Sequence, residues 1–134
     1  MKVLGIDVSG RHDVYGKFLR LYAGILAEIS ADRVIHVEKI EVYYSESSTQ
    51  TPKDIIKEVK ELMGKIKGNY DYIVCEKGEF FKIPKEHVSS LLGKEVIHPK
   101  TLGELELVNI AHHVSYSCRK LLLRELELNN LESK

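Results

Sequence analysis

Two carboxylates, Asp7 and Glu76, each close a short apolar run that reads as a β-strand, and a glycine follows each within three residues. The runs are Leu4-Gly5-Ile6-Asp7 and Tyr72-Ile73-Val74-Cys75-Glu76. If a crossover helix lays the second strand parallel to the first and next to it, both acids emerge at one end of the sheet. Paired carboxylates repel and raise each other's pKa unless a cation lies between them. Hard divalent ions such as Mg²⁺ or Mn²⁺ are held by a few such oxygens, with water and a substrate phosphate completing the shell. Two ions held this way clamp the attacking and leaving oxygens of a phosphodiester.

Each candidate also has a plainer reading. Asp7 can cap a turn by accepting hydrogen bonds from Ser9 and Gly10, as aspartate does in turns. Glu76 can be a solvated acid of the run Glu76-Lys77-Gly78-Glu79. His112 and His113 stand side by side on a helix, about 100° apart, so both cannot face one ion squarely. His112 shares its side with Leu105 and Val108 and is the better candidate to point at a sheet; His113 shares its side with Glu106 and Asn109. Cations follow both acids: Arg11, His12, Lys17 and Arg20 after Asp7, and Lys77, Lys82 and Lys85 after Glu76, with Phe80 and Phe81 interleaved. Arg11, Lys17, Arg20, Lys77, Lys82 and Lys85 are therefore the candidates for holding a nucleic-acid backbone, the alternative being ordinary solvated surface.

The elements that must position these residues follow from hydrophobic spacing. Residues 2–9 are apolar on both faces, as a strand covered on both sides is. Residues 10–21 read as a basic loop, residues 22–30 as a second strand and 33–44 as a third, giving an antiparallel meander. Thr51-Pro52 marks a helix start, and Ile55, Ile56, Val59, Leu62, Met63 and Ile66 follow at helical spacing up to Gly68-Asn69. Residues 70–76 form a fourth strand, Pro84 to Gly93 a short helix and 95–98 a fifth strand. Thr101 and Glu104 have the spacing of a capping box, which explains Glu104 as a cap rather than a ligand. It opens a last helix running to about Glu127, with Leu107, Ala111, Val114, Cys118, Leu121 and Leu122 in one stripe.

The order β-β-β-α-β-α-β-α implies an α/β fold: a mixed five-stranded sheet with helices on both faces. The 134 residues fit one domain, expected over 1–128, with 129–134 as a frayed end. A chain that is 43% hydrophobic and 30% charged is a globular one. No apolar run reaches the roughly 20 residues of a membrane span, and an acid arrives too early for a secretory signal, so the expectation is a cytoplasmic protein with no membrane partner. Cys75 and Cys118 lack zinc-site pairing and read as buried free thiols. Abundant Lys, Glu and Ile with a single glutamine, Gln50, suits a thermophile. Formal net charge is zero, so any grip on nucleic acid must come from local patches.

Leu4-Gly5-Ile6-Asp7 with Gly10 close behind, and Tyr72-Ile73-Val74-Cys75-Glu76 after the first crossover helix, resemble RuvC-type Holliday junction resolvases and, more broadly, the RNase H-like nuclease superfamily. The resemblance implies an RNase H-like fold and Asp7 and Glu76 as ligands of catalytic Mg²⁺ or Mn²⁺. It implies one or two further ligands, Asp or sometimes His, on the last helix. This chain has no Asp there and offers Asn109, His112 and His113 instead. The implied activity is a metal-dependent nuclease acting on DNA, branched DNA included, with His112 or His113 completing the catalytic site and the protein working as a homodimer. The competing reading is a catalytically inactive RNase H-like module that binds nucleic acid or protein.

Overall fold

The structure, a computed structural model, describes residues 1–10, 13–14, 16–76 and 83–132. Strand β1 (Lys2–Ser9) is the centre of a mixed sheet. On one side it pairs antiparallel with β3 (Lys17–Ile29), from Lys2↔Glu28 to Ser9↔Leu21. Beyond β3 comes β4 (Val34–Ser47), also antiparallel. The two-residue β2 (Asp13–Val14) pairs with the start of β3. On its other side β1 runs parallel to β5 (Tyr72–Val74), which is parallel to β6 (Val96–Ile97). The main strands thus lie in the order β4-β3-β1-β5-β6, the mixed five-stranded sheet expected from the sequence.

Three helices cover its two faces. Helix α1 (Pro52–Lys65) starts at Thr51, whose hydroxyl accepts from the Asp54 amide while Asp54 accepts from the Thr51 amide. That backbone bond and the Thr49 hydroxyl hold the Asp54 carboxyl below the usual carboxylate range. Ile55, Val59 and Leu62 of α1 meet Leu4, Ile6 and Ile73 in one core, joined by Val88 and Leu92 of α2 (Lys85–Leu92). On the opposite face Leu107, Val108 and Ala111 of α3 (Leu102–Glu132) pack on Val3, Ile25 and Val74. Apolar side chains on both faces of β1 are what two separate cores require.

The start of β3 corrects the sequence reading. Residues 17–21 are strand, not loop: Leu19 and Leu21 are buried, and the cation between them, Arg20, is fully buried. Helix α3 opens at the expected box: Glu104 accepts from the Lys100 and Thr101 amides at 2.9 and 3.1 Å. Burial raises the Glu104 pKa, but bonds from the Tyr72 hydroxyl and those amides outweigh it, so the carboxyl titrates below its ordinary range. The helix continues to Glu132, past both the expected end at Glu127 and the start of the expected frayed segment. Its buried stripe stops sooner. Beyond Arg119, whose Nε donates to the Leu19 carbonyl, Leu121 is 61% exposed. Cys75 is buried and Cys118 half-buried, and neither is in a disulfide. Among the described residues no helix is long and apolar enough to cross a membrane.

Candidate functional site

Gly5 sets where α3 crosses the sheet. A Cβ there would lie 2.7 Å from Leu107 Cγ, so only glycine lets the helix approach β1 this closely. From Leu107 the row Ala111, Ser115 runs along α3 at four-residue steps, rising about 12 Å over eight residues. Along β1 the same distance carries the chain from Gly5 past Asp7 to Ser9, at about 3.3 Å per residue. Ser115 therefore arrives over Asp7 and Ser9.

Asp7 is 4% exposed and points at α3. The fully buried Ser115 donates its hydroxyl to Asp7 Oδ2 at 2.5 Å. Ser9 Oγ lies 2.8 Å from Ser115 Oγ, and with the Ser115 proton on Asp7, Ser9 is the donor of that contact. The His112 carbonyl, 3.1 Å from Ser115 Oγ, is the alternative acceptor. A charge-assisted bond to a carboxylate is the stronger choice. Gly10, at φ 101°, turns the chain immediately after β1; a Cβ there would collide with the Leu19 carbonyl and with Arg119. The Gly-Ile-Asp-x-Ser-Gly run is thus accounted for position by position, by packing as much as by chemistry.

His112 Nδ1 stands 3.5 Å from Asp7 Oδ2, and its side chain is 57% exposed. This is ion-pair range but long for a hydrogen bond. Its ring stacks on Tyr116 at 6.1 Å between centroids, meets His113 edge-on at 5.9 Å, and Lys120 Nζ sits 5.4 Å over the Tyr116 ring. Between Glu106 and Glu125 the helix carries no acid, while His112, His113, Arg119, Lys120 and Arg124 all fall there. This stretch of the neutral protein therefore carries no formal negative charge, and His112 within it stands against Asp7.

Glu76 is exposed and lies two residues past the end of β5. The β1–β5 ladder ends at Gly5↔Val74, and the same register continued two residues would set Glu76 across from Asp7. The candidate cations do not gather at this place. Lys17 is exposed and paired with Glu46 at 3.0 Å. Arg20, expected at the surface, is in the core, where Glu58 takes its guanidinium at 2.8 Å, so it cannot reach a phosphate. Lys85 begins α2, which packs in the core on the opposite face of the sheet from α3. Arg11, Lys77 and Lys82 lie outside the described residues.

A family described as "Uncharacterized protein conserved in archaea (DUF2209)" matches residues 4–123. The chain belongs to this family. A curated relative, "Uncharacterized protein MJ0095" of Methanocaldococcus jannaschii, is 60% identical over 122 residues, covering 91% of this chain and 97% of that one. Among solved structures, the ribonuclease H2 from Pyrococcus horikoshii OT3 superposes with a TM-score of 0.56 at 17% identity, over 96% of this chain and 76% of that chain. The fold of this archaeal family member is RNase H-like.

That fold raises the question of a divalent ion. Among the described residues no group of three His, Cys, Asp or Glu side chains is arranged to hold a metal. Asp7 faces a hydroxyl donor on α3 rather than a second carboxylate. The bond donated to Oδ2 takes one of the carboxylate's lone pairs. Where the resemblance implies a further ligand on the last helix, Ser115 is the residue that meets Asp7. Ser115 was missed in the sequence, although it is the polar member of a buried four-step row, Leu107-Ala111-Ser115.

Proposed function

We propose that this chain is an RNase H-like module that binds nucleic acid without hydrolysing it. The observation that carries the reading is the Ser115–Asp7 hydrogen bond: the last helix presents a hydroxyl to a 4%-exposed carboxylate, where the resemblance implies a further metal ligand. Support for nucleic acid comes from the solvent side of the same turns. Tyr116, 51% exposed, is stacked by His112 and overlain by Lys120, and a base can stack on it by displacing one of them, leaving the other at hand for a phosphate. A strip with so few cations favours single-stranded or distorted nucleic acid, where stacking supplements charge, and branched DNA contains such positions.

The nuclease reading keeps one specific support: His112 near Asp7, together with the register that would bring Glu76 across from it. One experiment separates the two. Labelled four-way junction, duplex, single-stranded DNA and RNA are titrated for binding by anisotropy and incubated with Mg²⁺ and Mn²⁺ for cleavage. The expected result is binding without cleavage, weakened in Tyr116→Ala by about 1–3 kcal/mol per stacked base. Metal-dependent cleavage that Asp7→Asn and Glu76→Gln abolish would establish the nuclease instead. Neither binding nor cleavage would remove nucleic acid as the ligand.

A further inference from the structure

On the opposite face of the sheet from Asp7, an open groove of about 470 Å³ runs between α1 and α2. Its floor is apolar: Ile56 at 7% exposure, half-buried Ile83 and Leu91 at 39%. One rim is formed by Lys53, Lys57 and Lys60, all exposed and all on the same side of α1. Their spacing of four and three residues places them along about 10 Å of helix. Among the described residues no carboxylate lines the groove or pairs with these lysines. Of the acids of α1, Asp54 is engaged in the helix cap and Glu58 with Arg20, while exposed Glu61 is not among the residues that line the groove.

We propose that this groove docks a short acidic segment of a partner protein, with one or two apolar side chains seated on Ile56, Ile83 and Leu91 and carboxylates facing the three lysines. An apolar floor of this size is what such an anchor fills, and a cationic rim with no carboxylate against it among the described residues selects acidic flanks. A phosphate backbone would satisfy the lysines but has nothing to bury on the floor. A helix carrying acids at four- and three-residue steps matches the rim, with its apolar stripe turned inward.

The test uses the full chain and a synthetic amphipathic peptide of glutamate and leucine, with a lysine–leucine and a glutamate–serine peptide as controls. Amide and methyl shifts are mapped by NMR and affinities measured by calorimetry. Expected are shifts confined to α1 and α2, with affinity falling about tenfold or more in Lys53→Glu/Lys57→Glu/Lys60→Glu and again in Leu91→Asp. These are surface changes, and an unchanged amide spectrum elsewhere shows that each variant is folded. Equal binding of all peptides, equal binding by the triple variant, shifts centred on α3, or no binding of the acidic peptide each overturns the proposal. Adsorption to anionic vesicles in preference to the peptide would assign the rim to a membrane surface and overturn it too.

Discussion

Arg20 on β3 and Glu58 on α1 close an ion pair inside the core, with Nε–Oε1 at 2.8 Å and Nη2–Oε2 at 2.9 Å. The same guanidinium donates to the Thr49 carbonyl at 3.0 Å, so one side chain ties a central strand, a helix and the loop carrying the helix cap. Burial works against the Arg20 charge, but the bond and the charge of Glu58 more than offset it, leaving the guanidinium pKa raised. A buried pair is costly to break and cheap to replace. Glu58→Ala is expected to lose about 3–5 kcal/mol by leaving the guanidinium unmatched, whereas Arg20→Met/Glu58→Leu recovers most of it. Urea denaturation of the three proteins decides this. A single variant as stable as wild type would mean the pair is not buried as described.

Two tyrosines make stability fall at high pH. Burial pushes the Tyr22 hydroxyl up, and the Glu58 charge beside it adds to the effect. Burial does the same to Tyr72, helped by its bond to Glu104. A tyrosine in the unfolded chain titrates near 10. Both groups are raised in the folded protein, so their contribution is complete below that pH and is lost as pH climbs above it. Tyr22→Phe cannot ionise, so its urea midpoint should decline less between pH 9 and 11 than that of wild type. Parallel declines would show that Tyr22 is not the group responsible.

Packing at two glycines gives opposite signs for the same substitution. Gly64 lies in α1 with open space where a Cβ would go. Alanine there removes backbone entropy from the unfolded chain and should stabilise by about 0.5–1 kcal/mol. Gly103 begins α3 under the β3–β4 turn, its amide donating to the Ala31 carbonyl at 3.1 Å. A Cβ there would lie 1.9 Å from the Ser30 carbonyl oxygen, so the helix or the turn must shift. Gly103→Ala should cost about 1–3 kcal/mol as an overpacked site. Thermal melts of the pair check the sign directly; a stabilised Gly103→Ala would mean that α3 does not start against the turn.

Much of this architecture was legible because its signals are local. Thr51-Pro52 and Thr101 with Glu104 mark helix starts through bonds made within a few residues, and both caps form as expected. The double-sided apolar run of β1 announces two cores. What stayed hidden depends on distant partners. Residues 17–21 looked like a basic loop because the carboxylate that neutralises Arg20 lies 38 residues away. Ser115 is unremarkable in a serine-containing helix until β1, 108 residues earlier in sequence, is laid beneath it. Asp7 and His112 were named from the sequence, but the hydroxyl that fills the space beside Asp7 was not.

Position 115 therefore controls what Asp7 can do. Ser115→Ala removes the donor and leaves a buried carboxylate short of a partner, at an expected cost of about 1–3 kcal/mol. Ser115→Asp goes further, replacing the donor with a second carboxylate against Asp7. Two anions so close raise each other's pKa and destabilise the fold unless a cation lies between them. The variant should thus melt below wild type in chelator and recover in millimolar Mn²⁺, because an ion that binds only the folded form stabilises it by mass action. Wild type should show no such recovery, since Ser115 brings a hydroxyl rather than a second anion to Asp7. Thermal melts in chelator and in Mn²⁺, read for wild type, Ser115→Ala and Ser115→Asp together, decide between the alternatives. If Mn²⁺ stabilises wild type as much as Ser115→Asp, then Asp7 already holds a metal and the binding-only reading of this fold is wrong.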